Sequence, residues 1–357
     1  MKKKTTLADI AKKLDVTTST VSRALKNHPK ISDATKKAVG ELVEKMNYQP
    51  NNIAAALQSG KSNIIGVIVP TSDRQFFASV IRGIEEVVRK KGYNLIICQS
   101  DEQTNKEEKI IDTLLRVQVD GIIASVSKET THYSYFEKII QQNVPLILYD
   151  RVGEKINTNT VISNDYRGAY KAVSHLIDQG CSRIAHFSGL KHIKIYQERL
   201  NGYLDALKHH QLPVDENLII ESDLIGDTEI ILDAGSEMTT HLFESENPPD
   251  GIFSSSDFAA MGAIQTLKSK SILIPDEVAI AGYSNDFSAS IIDPGLTSVD
   301  QHTKNMGNNA ANLFLDQINN KNETNEYKQI EIEPTLIIRA SSSVKPSEKK
   351  EASSSSF

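Results

Sequence analysis

The sequence predicts a small all-α helix-turn-helix head followed by a larger α/β body of two like lobes built on parallel sheets. Three observations carry that prediction. In the first fifty residues, apolar side chains recur at helical spacing with capping residues between them. From Ile64 onward short apolar runs alternate with amphipathic stretches, and the alternation starts afresh after Val161-Ile162. Charge is divided: residues 1–60 hold eleven Lys/Arg against five Asp/Glu, although the whole chain is −6. A basic head on an acidic body implies that only the head meets a polyanion.

At 357 residues the chain exceeds one average domain of roughly 150 residues. Its two cysteines, Cys98 and Cys181, are too few for a disulfide framework or a four-ligand zinc site. Both lie in or beside apolar strand patterns, so buried free thiols of a reducing cytoplasm are expected. The basic N-terminus is not followed by an apolar run of signal length, and no stretch approaches the roughly 18 apolar residues that would span a membrane. A cytoplasmic location follows as an expectation.

In the head, Leu7, Ile10, Ala11 and Leu14 define one face of a first helix. Asp15-Val16-Thr17 interrupts it, and Thr17 caps a second helix over Thr18 to Lys26. Val21 and Leu25 point inward there, while Thr18, Ser19, Ser22 and Arg23 share another face. A third helix starts at the cap Ser32 and runs to about Met46, with Val39, Leu42, Val43 and Met46 inward. Pro50 stops it, leaving Tyr48-Gln49 extended. Two short helices joined tightly and braced by a third are the elements of a helix-turn-helix unit. Small hydroxyl residues at the start of its second helix allow close approach to a major groove, and Arg23 has the reach to bind a guanine bidentately. Periodicity alone would also fit a polar solvent face.

The run TTLADIAKKLDVTTSTVSRALKNHPKISDATKKAV, followed by YQPNNIAAALQSGKSNIIGVIVP, resembles the lactose-repressor/galactose-repressor (LacI/GalR) family. The resemblance extends over residues 5–340. It implies a DNA-binding domain over 1–50, a hinge helix over 51–60, and a periplasmic-binding-protein-like effector and dimerisation domain over 61–340. Residues 341–357, rich in Ser, Lys and Glu, are expected to form a disordered tail. The resemblance assigns DNA contact to Thr18, Ser19, Thr20, Ser22 and Arg23. It also assigns Asn51, Ala54 and Leu57 of the hinge, where Leu57 matches a residue that wedges between base pairs. About two turns of helix are too short to stand alone in water, so this hinge should fold only against a partner. Ala55 and Gln58 stand where the family often has a basic residue.

The body reads as strands at Ile64–Val69, Asn94–Cys98, Gly121–Ser125 and Pro145–Tyr149, then Arg183–Phe187, Leu218–Glu221, Gly251–Ser254 and Val278–Gly282. Helices lie between them, as at Phe76–Lys91 and Lys106–Val117. A late strand, Leu296–Gln301, and a helix to about Asn319 should cross back to the first lobe. One last strand, Gln329–Arg339, should cross again. Ligands of parallel sheets sit beyond the carboxyl ends of the strands, which places a site between the lobes. The family resemblance implies the same cleft, with Phe76, Phe77, Arg199, Leu224, Asp257 and Ser284 at matching positions. Arg199 is anchored by the flanking Leu200-Asn201-Gly202-Tyr203, and in an empty cleft it needs water or an acidic partner such as Asp257. Where the family has Gly-aromatic-Asp-Asp, this chain has Gly282-Tyr283-Ser284-Asn285-Asp286, so Asn285 or Asp257 would have to replace the missing acid. Arg74-Gln75 stands where Asn-Pro is common.

These features favour a sequence-specific transcription regulator, expected to be a repressor, whose operator affinity follows a small-molecule effector such as a sugar derivative. The expected partners are a palindromic duplex and a second copy of the chain, with a tetramer possible; no membrane, cofactor or metal is expected. An exported solute-binding protein would lack the head. An α/β enzyme would show a nucleotide or nucleophile motif, and no P-loop, G-x-G-x-x-G, G-x-S-x-G or H-E-x-x-H is present. Whether effector releases DNA or promotes its binding is left open.

Overall fold

The computed structural model describes residues 5–48, 61–153, 155–319 and 327–343. The chain divides into two units, one ending at Ser62 and one beginning at Asn63. The hinge positions Asn51, Ala54 and Leu57 lie outside the described residues.

The first unit contains α1 (Leu7–Leu14), α2 (Thr18–Leu25) and α3 (Asp33–Lys45). Each begins on a hydroxyl cap. Thr6 and Asp9 form a reciprocal capping box, Thr17 accepts from the Thr20 amide, and Ser32 accepts from the Thr35 amide. α1 ends at Asp15 in the left-handed region. Ile10, Ala11, Val21, Ala24, Val39 and Tyr48 make the core, so the residue expected to be extended chain after α3 also closes the bottom of the bundle. Leu25 does not point inward as expected: it is exposed. Val21 and Ala24, three residues apart, take the buried stripe, and the next position turns about 100° away from it.

The body holds two six-stranded sheets. Lobe one orders its strands β11-β5-β4-β3-β1-β2. They are β1 (Ile64–Val69), β2 (Asn94–Gln99), β3 (Gly121–Ala124), β4 (Leu146–Tyr149), β5 (Asn159–Ser163) and β11 (Gln329–Ile332), all parallel. Lobe two orders its strands β12-β10-β9-β8-β6-β7. They are β6 (Ile184–Ser188), β7 (Ile219–Glu221), β8 (Gly251–Ser254), β9 (Ala279–Tyr283), β10 (Thr297–Asp300) and β12 (Thr335–Ile337), with only β12 antiparallel.

The helices of lobe one are α4 (Gln75–Val88), α5 (Thr104–Arg116) and α6 (Ser134–Gln141). Those of lobe two are α7 (Asp165–Asp178), α8 (Lys194–His209), α9 (Thr228–Phe243), α10 (Asp257–Ser269) and the short α11 (Phe287–Ile291). α12 (Thr303–Asn319) returns from lobe two to pack on α4 and the first sheet. That crossing is tight: a Cβ on Gly307 would stand 2.1 Å from the Val80 carbonyl oxygen, so only glycine permits the approach.

Three expectations need correction. The single strand expected over Gln329–Arg339 is two, β11 and β12, because Glu333-Pro334 cannot continue the ladder. The tail does not begin at Ser341. Ser341 and Ser342 are fully buried, and the Ser341 hydroxyl accepts from the Thr297 amide and donates to the Ile280 carbonyl, while its own carbonyl accepts from the Ile280 amide. Finally, Cys181 is buried but Cys98 is only half-buried, because β2 is an edge strand with one face outward.

Candidate functional site

The expected DNA-reading surface lies on α2. Thr18, Ser19 and Arg23 are exposed, and Thr20 and Ser22 are partly buried. The Thr17 hydroxyl bonds those of Ser19 at 2.8 Å and Thr20 at 2.9 Å, giving a small exposed hydroxyl cluster at the helix start. Arg23 lies one turn further along the helix.

Between the lobes, an inner cavity of about 80 Å³ adjoins an outer cleft of about 580 Å³. Residues at the carboxyl ends of β1, β4, β8, β9 and β10 surround the inner cavity: Thr71, Asp150, Ser255, Ser284 and Gln301. Parallel sheets place a site there because the turns leaving their strands are not bound into the ladder.

Of the expected cleft residues, Phe76, Phe77, Arg199, Leu224 and Ser284 converge on the inner cavity. Phe77 also belongs to the lobe-one core and Leu224 to the lobe-two core, so both combine packing with lining. Phe76 meets Phe77 edge-on at 5.1 Å. Asp257 and Asn285 line only the outer cleft. Neither reaches the inner cavity, and both already have hydrogen-bond partners within the protein. The Asp257 carboxylate accepts the Ser298 hydroxyl at 2.6 Å and the Asp286 amide at 2.8 Å, and burial pushes its carboxyl up to about 6. The Asn285 side chain lies between Arg339 at 2.7 Å and Asp300 at 3.3 Å.

Asp257 is also not the partner of Arg199. Arg199 Nε and Nη2 both reach Oδ1 of Asp165, at 2.8 and 2.7 Å, and Nη1 donates to the Ser255 carbonyl at 2.8 Å. The guanidinium lies 3.7 Å from the centre of the Tyr283 ring. Arg199 is buried at 4% exposure. Burial pushes the Asp165 carboxyl up against the pull of Arg199, whose own guanidinium is held charged by that carboxylate.

Lobe one supplies charged groups that the sequence reading missed. Arg151 binds Glu102 bidentately at 2.8 Å on both arms. Asp150 beside it is pushed up to about 7 by burial, with Arg151 opposing. Asp150 and Arg151 directly follow the apolar run of β4, so the strand-end rule could have found them. Glu102 sits in a turn at φ 60, and nothing local announces it. Contacts also join the lobes directly. Lys128 meets Asp223 at 2.5 Å, Arg74 Nη2 donates to the Gly226 carbonyl at 2.8 Å, and the Phe287 amide donates to the Gln75 side-chain oxygen at 2.6 Å.

Among the described residues no group of three or more His, Cys, Asp or Glu could hold a metal ion, and no helix is long and apolar enough to cross a membrane. What the two lobes offer is a polar, aromatic-walled enclosure suited to hydrogen bonding and stacking.

A helix-turn-helix head on a two-lobed body with such a cleft defines a ligand-responsive DNA-binding regulator. Residues 6–51 match the model of bacterial regulatory proteins of the lacI family, and residues 173–342 match that of a periplasmic binding protein-like domain. The HTH-type transcriptional repressor PurR of Actinobacillus pleuropneumoniae is 30% identical over 336 residues, covering 94% of this chain and 98% of that protein. The ribose operon repressor of Halalkalibacterium halodurans is 31% identical over 336 residues, covering 94% and 96%. The crystal structure of a LacI family transcriptional regulator from Enterococcus faecium with bound ribose superposes with a TM-score of 0.67 at 27% identity, covering 78% of this chain and 98% of that one. The chain belongs to the lacI family of bacterial regulatory proteins. It is a transcription regulator whose DNA binding is controlled by a small-molecule effector, and not an enzyme.

Proposed function

We propose that this chain is a homodimeric repressor that reads a palindromic operator through α2 and answers to a sugar or sugar derivative held between its lobes. The observation that supports the effector reading best is the convergence of Phe76, Phe77, Arg199, Leu224 and Ser284 on one inter-lobe cavity. An aromatic face beside fixed, paired charges suits a polyol, whose apolar ring face stacks while its hydroxyls bond. The ribose named in one relative and in one related structure agrees with that chemistry.

The domain limits proposed are 1–50 for the DNA reader, 51–60 for the hinge and 61 to about 343 for the body. In the head, Thr18, Ser19, Thr20, Ser22 and Arg23 contact the major groove. Asn51, Ala54 and Leu57 contact the minor groove. Ile96 and Ile97 of the edge strand β2 are 38% and 50% exposed, and such apolar exposure supports a second copy of the chain packing on lobe one. Effector would change the lobe angle, hence the spacing of two marginal hinge helices, hence operator affinity.

Thermal denaturation of the full chain with ribose, glucose and their phosphate esters tests the effector reading. A ligand at 100 times its Kd adds about 2.7 kcal/mol. At least one of them should raise Tm by several degrees, and no shift with any of them would overturn the sugar-derivative reading.

A further inference from the structure

Three guanidiniums border the inner cavity: Arg74, Arg151 and Arg199. Two already have counter-charges, Glu102 for Arg151 and Asp165 for Arg199. Arg74 does not. Its Nη2 donates to the Gly226 carbonyl at 2.8 Å, and its Cζ stands 5.4 Å from the centre of the Phe258 ring. Among the described residues no carboxylate lies within ion-pair distance of it. Its Nε is buried without any hydrogen-bond partner. The side chain as a whole is only half-buried, but an N–H donor left unpaired away from water is costly, and an acceptor on a bound ligand would complete it.

The position of Arg74 indicates what that is. Together with Phe76, Ser256 and Ser284 it lines both the inner cavity and the outer cleft, so it stands at their junction. Ser284, which lines the same junction, brings a hydroxyl and no charge there. Two more polar atoms border the inner cavity without partners, Ser255 Oγ and Gln301 Nε2, each on a residue only 1% exposed. Asp150 lines the inner cavity but not the outer cleft. The acids of the outer cleft are already engaged: Asp257 by Ser298, Asp286 by the Ser288 amide, and Asp300 by the His302 amide. The cavity thus offers an acceptor deep inside for hydroxyl groups and an unmatched cation at its mouth.

We propose that the effector is a small polyol bearing a phosphate or carboxylate, with that anionic group seated on Arg74 at the mouth of the inner cavity. This rests on the cleft being the effector site. The planar guanidinium matches either anion through two parallel charge-assisted bonds. Because Arg74 of lobe one already reaches the Gly226 carbonyl of lobe two, an anion bound there engages the residue that spans the lobes.

Binding of matched probes to the full chain tests it: ribose beside ribose 5-phosphate, and glucose beside glucose 6-phosphate and gluconate, by titration calorimetry. At least one anionic probe should bind ten-fold or more tighter than its neutral parent. Arg74→Gln should abolish that preference, and Arg74→Lys, which keeps the charge, should retain part of it. Neutral sugars binding as tightly as their anionic partners, or an anion preference untouched by Arg74→Gln, would overturn this inference and leave the sugar cleft standing. Failure of every probe to bind would remove both readings.

Discussion

Arg199 of α8 and Asp165 at the first turn of α7 meet on a single carboxylate oxygen, with Nε at 2.8 Å and Nη2 at 2.7 Å, at the back of the cleft. The pair does two things. It fixes the guanidinium under Tyr283, and it ties the start of α7 to α8 across 34 residues of sequence. Removing one partner of a buried pair leaves an uncompensated charge, at a cost of roughly 3–5 kcal/mol. Arg199→Ala should therefore lower the urea unfolding midpoint of the body at pH 7, and adding Asp165→Asn should restore part of the loss. Equal stability of the single variant and the wild type would show that the pair is dispensable. Any ligand assay on Arg199→Ala needs this control beside it.

Asp150 carries a pH signature. Its carboxyl is near 7 in the folded chain against 3.8 in the open chain, because burial outweighs Arg151. Between those values the folded state holds a proton that the unfolded state has released. Stability contributed by this group is full below about 4, falls as pH rises, and is lost once pH passes about 7. Asp150→Asn has no such dependence. From pH 4 to 7 the variant should gain on the wild type by up to about 1.4 kcal/mol per pH unit, read from paired denaturant melts. A difference that stays constant over that range would place the carboxylate in water.

Gly307 tests the helix crossing. A methyl group there would meet the Val80 carbonyl oxygen at 2.1 Å and its carbon at 2.9 Å, both backbone atoms that cannot rotate away. Gly307→Ala should cost about 1–3 kcal/mol, although alanine is the better helix former. Gly40 of α3 has nothing within 4 Å of its would-be Cβ. Gly40→Ala should stabilise the head by up to about 1 kcal/mol. Differential scanning calorimetry of both variants reads the contrast, and a rise in Tm for Gly307→Ala would refute the close approach.

Arg23 is exposed on α2, one turn beyond the hydroxyl cluster of Thr17, Ser19 and Thr20. Arg23→Ala should weaken operator binding by roughly 1–3 kcal/mol and relax preference at one base pair per half-site. Binding-site selection with the variant checks this. Recovery of the wild-type motif at the wild-type strength would take base reading away from this residue.

Local signals made most of the fold legible. Helical spacing and caps gave α1 to α3, and apolar runs gave β1 to β4 and β6 to β10 within about a residue, whereas β5 was not marked and β11 and β12 were read as one strand. Two of the departures are local, Leu25 and the strand break at Pro334, and the others depend on distant chain. Leu25 faces solvent because Ala24, small and three residues from Val21, takes the buried stripe instead. Ser341 and Ser342 look like the start of a polar tail, yet β9 and β10 supply backbone and hydroxyl partners that bury them. In the cleft, Arg199 was readable from its own flanks, but its partner was not, since Asp165 lies on another helix. Arg74 was visible only as a departure from a family pattern. Its meaning comes from the lack, among the described residues, of a carboxylate within ion-pair distance, which no linear motif records.

The cleft and the head report to one another, and reciprocal linkage tests that coupling most directly. Operator affinity of the full chain should be measured with and without a saturating cleft ligand, and affinity for that ligand with and without operator. The two ratios must be equal, and a working switch requires a factor of about 5–150. An operator affinity that does not change when the cleft is saturated would contradict the claim.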